Sequence, residues 1–357
     1  MKIAIVTSRK DPDNLRARML RAGFSECINT EVLVIKNDRT GIGRSWQTIY
    51  RLFKDSFKES PDAYVVTYRG YGILPFVLIV SGHRPVIFDE FINPIERLVF
   101  EKHKFKPNSL FVKMLKGYYK FLVKRCKFIL ADTDAHAEYS AKINSVSLAF
   151  YKTLPLTTDE HLFHPTQKTS SSKKSKEFSV FYFGSTVPIN GLVYILEAAQ
   201  RLGEIPAIKF IIAGNSKLIA SRVRAAVAKG ANIHYRDDIT LEKLPRIIRE
   251  QSVALAGPFG NTVEAKLTVT NRCHQIMACS VPAIIGKSKV RGIFEDLKDT
   301  IMVQQGSSKA LADAIMWAFE HKRQLGPIAR HGRKTYEEFF SNKAIANHCQ
   351  MIVDQIF

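Results

Sequence analysis

Acidic residues are scarce in this chain. Its 33 Asp and Glu stand against 53 Lys and Arg, which leaves a formal charge of +20 at pH 7. An excess of that size calls for an anionic partner: nucleic acid, an anionic membrane surface or an acidic small ligand. Cysteine is sparse too. Cys27, Cys126, Cys273, Cys279 and Cys349 are odd in number, scattered and without metal-ligand spacing. That pattern excludes a disulfide framework, makes a structural zinc site unexpected and implies a reducing compartment. Long apolar runs are missing. The longest, Ile73 to Val80, contains Pro75 and falls far short of the ~20 residues that span a bilayer. The opening MKIAIVTSRK turns polar after six residues, so it is expected to be a first strand, not a targeting segment.

What remains is the composition of an ordinary soluble globular protein, 46% hydrophobic and 24% charged over 357 residues. That length suits two domains. Short β-branched runs alternate with helix-like stretches from end to end. Strands are expected at Lys2–Val6, Glu31–Ile35, Ala63–Tyr68, Pro85–Asp89 and Phe128–Asp132. In the second half they are expected at Phe178–Gly184, Lys209–Gly214, Asn232–Tyr235, Val253–Ala256, Pro282–Ile285 and Thr300–Val303. Such alternation implies an α/β protein with parallel sheets covered on both faces. The run TQKTSSSKKSK has no apolar residue to bury and is expected to be a solvated connector. The expected division is therefore a Rossmann-like domain at 1–165, a linker at 166–177 and a second Rossmann-like domain at 178–340. A final helical piece at 341–357 either completes the second domain or crosses back to the first. Two doubly wound domains joined in this way would enclose a cleft.

The stretch from Val253 to Val303 is the most informative. A strand-like run breaks at Gly257-Pro258-Phe259-Gly260-Asn261-Thr262, and a helix-compatible stretch follows to Cys279. Ligands of parallel α/β sheets bind where loops leave the carboxyl ends of strands. A Gly/Asn/Thr loop feeding a helix there offers N–H groups and a positive dipole end to a phosphate. Lys266 and Arg272 add fixed charge. An ordinary βαβ crossover explains the stretch equally well on its own.

Several segments in order resemble the retaining glycosyltransferases of family 4, which have the two-domain GT-B architecture. FSVFYFGSTVPINGLVYILEAAQRLGEIPAIKFIIAG resembles that family's glycine turn, helix and following strand, with Gly184 after the strand and Gly191 at the helix start. PFGNTVEAKLTVTNRCHQIMACSVPAI, VIFDEFINP, ILADTDAHAEY and TDEHLFHP are similar to a subgroup that makes surface polysaccharides. The resemblance covers nearly the whole chain. It implies donor binding by the second domain, acceptor binding by the first, and transfer from a nucleoside-diphosphate sugar to a lipid-linked or surface-glycan acceptor. The chain departs from the family at several places. Ser185 and Asn190 stand where Arg and Lys are usual, Leu267 and Gln275 occupy the positions of the paired glutamates, and Thr270-Asn271-Arg272 replaces Pro-Asn-Lys. These changes bear on donor affinity and turnover, and they keep open a second reading, a non-catalytic GT-B-like subunit or scaffold.

The leaving diphosphate gains charge as the glycosidic bond breaks, so the site needs preorganised donors and cations rather than a general acid. Candidates are the backbone at Gly184 and Ser185, the Thr186 hydroxyl, Lys266 and Arg272; the fork of an Arg suits phosphate as well as a Lys does. Gln275 shares a helix face with Arg272 and would bond a ribose. Asn190, Gly191, Gly260, Asn261, Thr262 and Asn271 complete the expected donor side, although Asn261 and Thr262 are more often turn residues. In the first domain Asp89 is expected at the transferred sugar, where many family members place a His. Tyr68, Arg69 and Glu90 are expected on the acceptor side. His136 is expected to be structural. No enzymic nucleophile is assigned. Neither a metal nor a cofactor is expected.

Residues 102–127 hold nine Lys/Arg and no Asp or Glu. Lys113, Lys116, Lys120 and Lys124 form a basic stripe at helical spacing, with Leu110, Met114, Tyr118, Phe121 and Leu122 on other faces. Such a helix is expected to bury its apolar stripe in the first domain and to offer the lysines to anionic lipid. The resulting placement is peripheral, at the cytoplasmic face of a membrane. A nucleic-acid-binding α/β protein ranks lowest, because the basic stretch has no recognisable recognition motif.

Overall fold

The computed structural model describes residues 1–41, 43–101, 104–166 and 177–356. The chain forms two compact units, Met1–Leu156 with Asn342–Phe357, and Thr157–Ser341. The connector expected at 166–177 lies almost wholly outside the described residues.

The first unit contains β1 (Lys2–Thr7), α1 (Leu15–Ser25), β2 (Glu31–Lys36), α2 (Gly43–Glu59), β3 (Ala63–Val66), α3 (Leu74–Ser81), β4 (Val86–Asp89), α4 (Leu110–Val123), β5 (Phe128–Ala131), α5 (Asp134–Asn144) and β6 (Tyr151–Thr153). All strand pairings in its sheet are parallel, in the order β2-β1-β3-β4-β5-β6. Strands β3, β4 and β5 are buried on both faces, which is why their sequences read as unbroken apolar runs. One sheet face packs against Leu52 of α2, Leu74 and Val77 of α3, Tyr119 and Leu122 of α4, and Ala137 of α5. The other packs against Met19, Leu20 and Phe24 of α1.

The second unit contains β7 (Phe178–Phe183), α6 (Leu192–Arg201), β8 (Ile208–Ala213), α7 (Lys217–Val227), β9 (Ile233–Arg236), α8 (Leu244–Arg249), β10 (Val253–Leu255), α9 (Asn271–Ala278), β11 (Ala283–Gly286), β12 (Ile301–Val303), α10 (Ser308–Glu320) and α11 (Lys322–Phe339). Its parallel sheet runs β12-β11-β10-β7-β8-β9. The last helix, α12 (Asn342–Val353), packs Ile345, Cys349, Ile352 and Val353 on the α1 face of the first unit.

Strand order reverses once in each sheet, between β1 and β3 in the first and between β7 and β10 in the second. At such switch points the two loops leave in opposite directions and open a crevice for a ligand.

Three features differ from the sequence expectation. Strand β6 was not anticipated: three residues, YKT, carry no apolar pattern, and only pairing with β5 makes them a strand. No single helix runs from the 257–262 loop to Cys279. A short 3-10 turn, Glu264–Lys266, comes first, and α9 starts only at Asn271. Thr270 sets that start, since its hydroxyl accepts the Cys273 N–H and donates to the Ala256 carbonyl at 2.7 Å, the bonding expected of an N-cap. Finally, α4 presents a different face from the one expected. Val112, Tyr119, Leu122 and Val123 are buried, while Leu110, Phe111, Met114, Tyr118 and Phe121 are exposed beside the lysines. No helix among the described residues is long and apolar enough to cross a membrane.

Candidate functional site

The site is best built from the switch point of the second sheet. Strand β7 ends at Phe183, and the chain turns at Gly184 with φ +154°. A Cβ there would lie 2.6 Å from Arg272 Nη1 and 2.9 Å from the Tyr182 hydroxyl, so only glycine allows the guanidinium to reach the turn. Gly191 (φ +65°) plays the matching part before α6. A side chain on it would meet the Phe259 carbonyl carbon at 2.5 Å, and its absence lets the loop after β10 close onto the loop after β7. The Gly260 N–H donates to the Ile189 carbonyl at 3.0 Å and seals that contact.

Arg272, in the first turn of α9, reaches back to this junction. Its Nε donates to the Ala256 carbonyl at 3.1 Å and one Nη to Asn190 Oδ1 at 2.8 Å, with the guanidinium over the Tyr182 ring. The residue is only 9% exposed, and among the described residues no carboxylate pairs with it. Burial pushes its pKa below the ordinary arginine value. Among the described residues no acceptor meets Nη1, the nitrogen nearest Gly184. A buried cation without a counter-charge is costly unless a ligand supplies one. Asn190 links the two loops: its amide donates to the Ser185 carbonyl and hydroxyl, both at 3.1 Å, while its oxygen receives Arg272.

Other expected donor-side residues share this neighbourhood. Gln275 is buried on α9, one turn from Arg272, and among the described residues its side-chain amide makes no hydrogen bond. Asn271 Oδ1 is also buried without a hydrogen bond. Both keep polar capacity for a ligand. Thr186 is half-buried, and Ser185 is exposed at the turn. Thr262 takes a local role, its hydroxyl accepting the Ala265 N–H at 3.1 Å, and Asn261 packs beside Gly306. Lys266 is exposed on the 3-10 turn and forms no ion pair. Leu267, at one family glutamate position, is buried.

Two residues of this unit were not anticipated. Tyr182 supplies the ring beneath Arg272; its place at the end of an apolar strand hid it. Gln305 is buried and donates to the carbonyls of Pro258 and Ala265 at 3.0 and 2.6 Å, which fixes the loop after β10. A Gln two residues past a short strand was the only signal for it.

The first unit requires a correction. Asp89, expected at the transferred sugar, is 0% exposed. Both its oxygens accept from Arg16, with a closest approach of 2.9 Å, and Oδ2 also accepts the Tyr68 N–H. Arg16 in turn donates to the carbonyls of Leu154 and Pro155. This ion pair ties α1, β4 and the end of β6 together and leaves Asp89 no free valence. Glu90 is likewise buried rather than on the acceptor side. Its Oε2 accepts the Tyr151 hydroxyl at 3.0 Å and Asn144 at 3.3 Å, and burial raises its pKa. Tyr68 and Arg69 remain half-exposed at the end of β3. His136, as expected, is structural. It is buried between Asp132 (2.8 Å) and Glu96 (3.3 Å).

The fold is that of the GT-B glycosyltransferases. Residues 177–321 match the family model described as Glycosyl transferases group 1. Across the whole chain the structure is similar to Alr3699/HepE of Anabaena, solved in complex with UDP and glucose, at a TM-score of 0.73 and 13% identity over 99% of this chain and 100% of that one. It is similar to sucrose-phosphate synthase (tll1590) of Thermosynechococcus elongatus at a TM-score of 0.72 and 15% identity over 100% and 99% of the two chains. A glycosyltransferase from Rickettsia africae ESF-5 superposes at a TM-score of 0.67 with 12% identity over 99% and 98%. Among curated proteins none matches this chain by sequence.

Proposed function

We propose that this chain is a retaining glycosyltransferase that moves a sugar from a nucleoside-diphosphate sugar, a UDP-sugar first among the candidates, to a lipid-linked or surface-glycan acceptor. The observation that carries the reading is Arg272, a buried guanidinium with no counter-charge, one free nitrogen and a glycine turn directly beside it. A diphosphate there would complete the ion pair. As the glycosidic bond breaks, charge grows on that diphosphate, and a preorganised cation lowers the barrier without reorganising. Ser185 and Asn190 cannot supply charge, so Arg272 carries the main electrostatic role, with the Gly184 turn and Thr186 as neutral donors and Lys266 as a mobile second cation. Gln275 and Asn271 are proposed to bond the nucleoside or sugar. No metal or enzymic nucleophile is invoked.

The protein is further proposed to work peripherally at the inner face of a membrane, with the exposed apolar and basic side of α4 against anionic lipid. Buried Leu267 and neutral Gln275, at the glutamate positions, keep the non-catalytic subunit as the second reading.

The test is calorimetric titration with UDP-, GDP-, ADP- and TDP-sugars, wild type against Arg272→Gln. Loss of a charged hydrogen-bond pair should weaken binding by at least about tenfold. Flat titrations of the wild type with every donor would remove the proposal. Donor binding without any product by mass spectrometry, with membrane extract as acceptor source, would select the non-catalytic reading.

A further inference from the structure

The switch point of the first unit holds a second set of unpaired cations. Arg9 follows β1, and Tyr68-Arg69 follows β3, the two strands between which the order reverses. Two guanidiniums lie over the Tyr68 ring, the Arg9 carbon 5.0 Å and the Arg69 carbon 5.2 Å from its centroid. Arg97, in the π-helix Glu96–Glu101 after β4, adds to the positive field at Arg9. None of the three arginines has a carboxylate within ion-pair distance among the described residues, and Arg69 Nε is sealed from solvent without an acceptor.

The frame around them is rigid. The hydroxyls of Thr7 and Thr67 bond at 2.9 Å and tie the ends of β1 and β3. Asn37, itself buried, accepts the Arg9 N–H at 3.0 Å and donates to the Arg9 carbonyl at 2.8 Å. The Asp89–Arg16 pair holds the Tyr68 N–H. Tyr68 (φ +25°) and Arg69 (φ +61°) occupy consecutive left-handed backbone positions without being glycine. Such strain persists where the surroundings over-determine it, commonly at a binding site. Burial lowers the Arg9 pKa; Tyr68 opposes that shift, while Arg69 and Arg97 add to it. Cations held together without compensation are what a missing anion would relieve.

We infer that Arg9 and Arg69, both over the Tyr68 ring, form an oxyanion site in the first unit that takes a phosphate or diphosphate group. Two guanidiniums match a multiply charged phosphate better than a single carboxylate, and the planar fork of Arg binds such oxygens in pairs. The occupant is the diphosphate of a lipid-carried acceptor, an assignment that rests on the transfer reading. The site itself does not depend on that reading.

Inorganic pyrophosphate is the first probe, titrated calorimetrically into the wild type, Arg272→Gln, Arg9→Gln and Arg69→Gln. Two classes of binding are expected in the wild type. One should vanish in Arg272→Gln, and the other should weaken at least about tenfold in Arg9→Gln and Arg69→Gln. Arg9→Lys, which keeps the charge, should recover part of that loss, and this separates a lost cation from a disturbed fold. Unchanged pyrophosphate binding in both Arg9→Gln and Arg69→Gln, or loss of all binding in Arg272→Gln alone, would overturn the site. Farnesyl diphosphate is the second probe. Tighter binding than pyrophosphate, dependent on Arg69, supports the lipid-carried occupant; equal or weaker binding assigns the site to a free phosphate and overturns that occupant.

Discussion

Taking a guanidinium out of water without an ion-pair partner costs several kcal/mol, and the free protein bears that cost at Arg272. Arg272→Met removes the charge and keeps an apolar stem over Tyr182. It leaves the Ala256 carbonyl and Asn190 short of one hydrogen bond each, at about 1 kcal/mol apiece. The ligand-free melting midpoint should therefore hold or rise, while stabilisation by UDP disappears; differential scanning fluorimetry reads both. A drop in the ligand-free midpoint of more than about 5 °C would show that the residue serves the fold. Asp89 is expected to behave in the opposite way. Asp89→Asn strands Arg16 in a site where both side chains are essentially closed to water, and breaking such a pair destabilises by about 3–5 kcal/mol. Urea unfolding should show that loss, with UDP binding at the proposed donor site unchanged. A fully stable Asp89→Asn protein with impaired transfer would restore Asp89 to the reaction.

Helices α2 and α4 belong to one layer, since both pack their inner sides into the same cluster on one sheet face. Their outer sides are unusually apolar. Trp46 (70% exposed), Tyr50 and Phe57 (79%) line α2, and Leu110, Phe111, Met114 (66%), Tyr118 and Phe121 line α4. Lys54, Lys58, Lys113 and Lys124 are exposed among them. Aromatic anchors flanked by lysine suit the headgroup region of an anionic bilayer, whereas two copies of this face would set lysines against lysines. Vesicles containing phosphatidylglycerol should bind the protein and shift Trp46 fluorescence to the blue in a Trp317→Phe background. Phe111→Ser with Phe121→Ser should reduce binding at least about fivefold, as should charge reversal at Lys113 and Lys124, given about 1 kcal/mol for each lysine at the surface. Equal binding to phosphatidylcholine alone, or no effect of either pair, would refute the lipid assignment. At this scale the sequence was uneven as a guide. Of the twelve strands among the described residues eleven were legible, most plainly those buried on both faces, which are continuous apolar runs. Strand β6 was not, because its identity comes from its neighbour. The basic stretch of α4 was legible as a helix, but not its buried side: apolar residues populate most of its circumference, and only packing decides which of them face the sheet. The glycine turn and Arg272 were legible because close approach demands particular residue types. The role of Asp89 was not, since nothing in a sequence reveals that Arg16, 73 positions earlier, takes the same space.

The two units differ in how they store charge, and pH should act on them unequally. The second unit holds a lone buried cation at its site. The first holds a buried network in which Glu90 is bonded to Asn144 and Tyr151, and His136 lies between Asp132 and Glu96. Burial alone would depress the His136 pKa, but the two carboxylates overcome it and hold it well above the ordinary 6.5. A folded-state pKa raised above the unfolded one means that the native unit binds the extra proton. The stabilisation is then complete below about pH 6.5 and is lost as pH climbs through the higher folded value. Glu90 adds a term of the same sign, because burial raises its pKa too and ionising it inside the fold is unfavourable. Hydrogen exchange in β4 and β5, corrected for the intrinsic rate, should accordingly show protection declining as pH climbs above about 6.5. His136→Gln should start from lower protection and flatten that decline, because the group that releases its proton is gone. Strands β7 and β10 should follow a shallower course. Protection in β4 and β5 that rises with pH instead would mean that His136 is neutral in the native state.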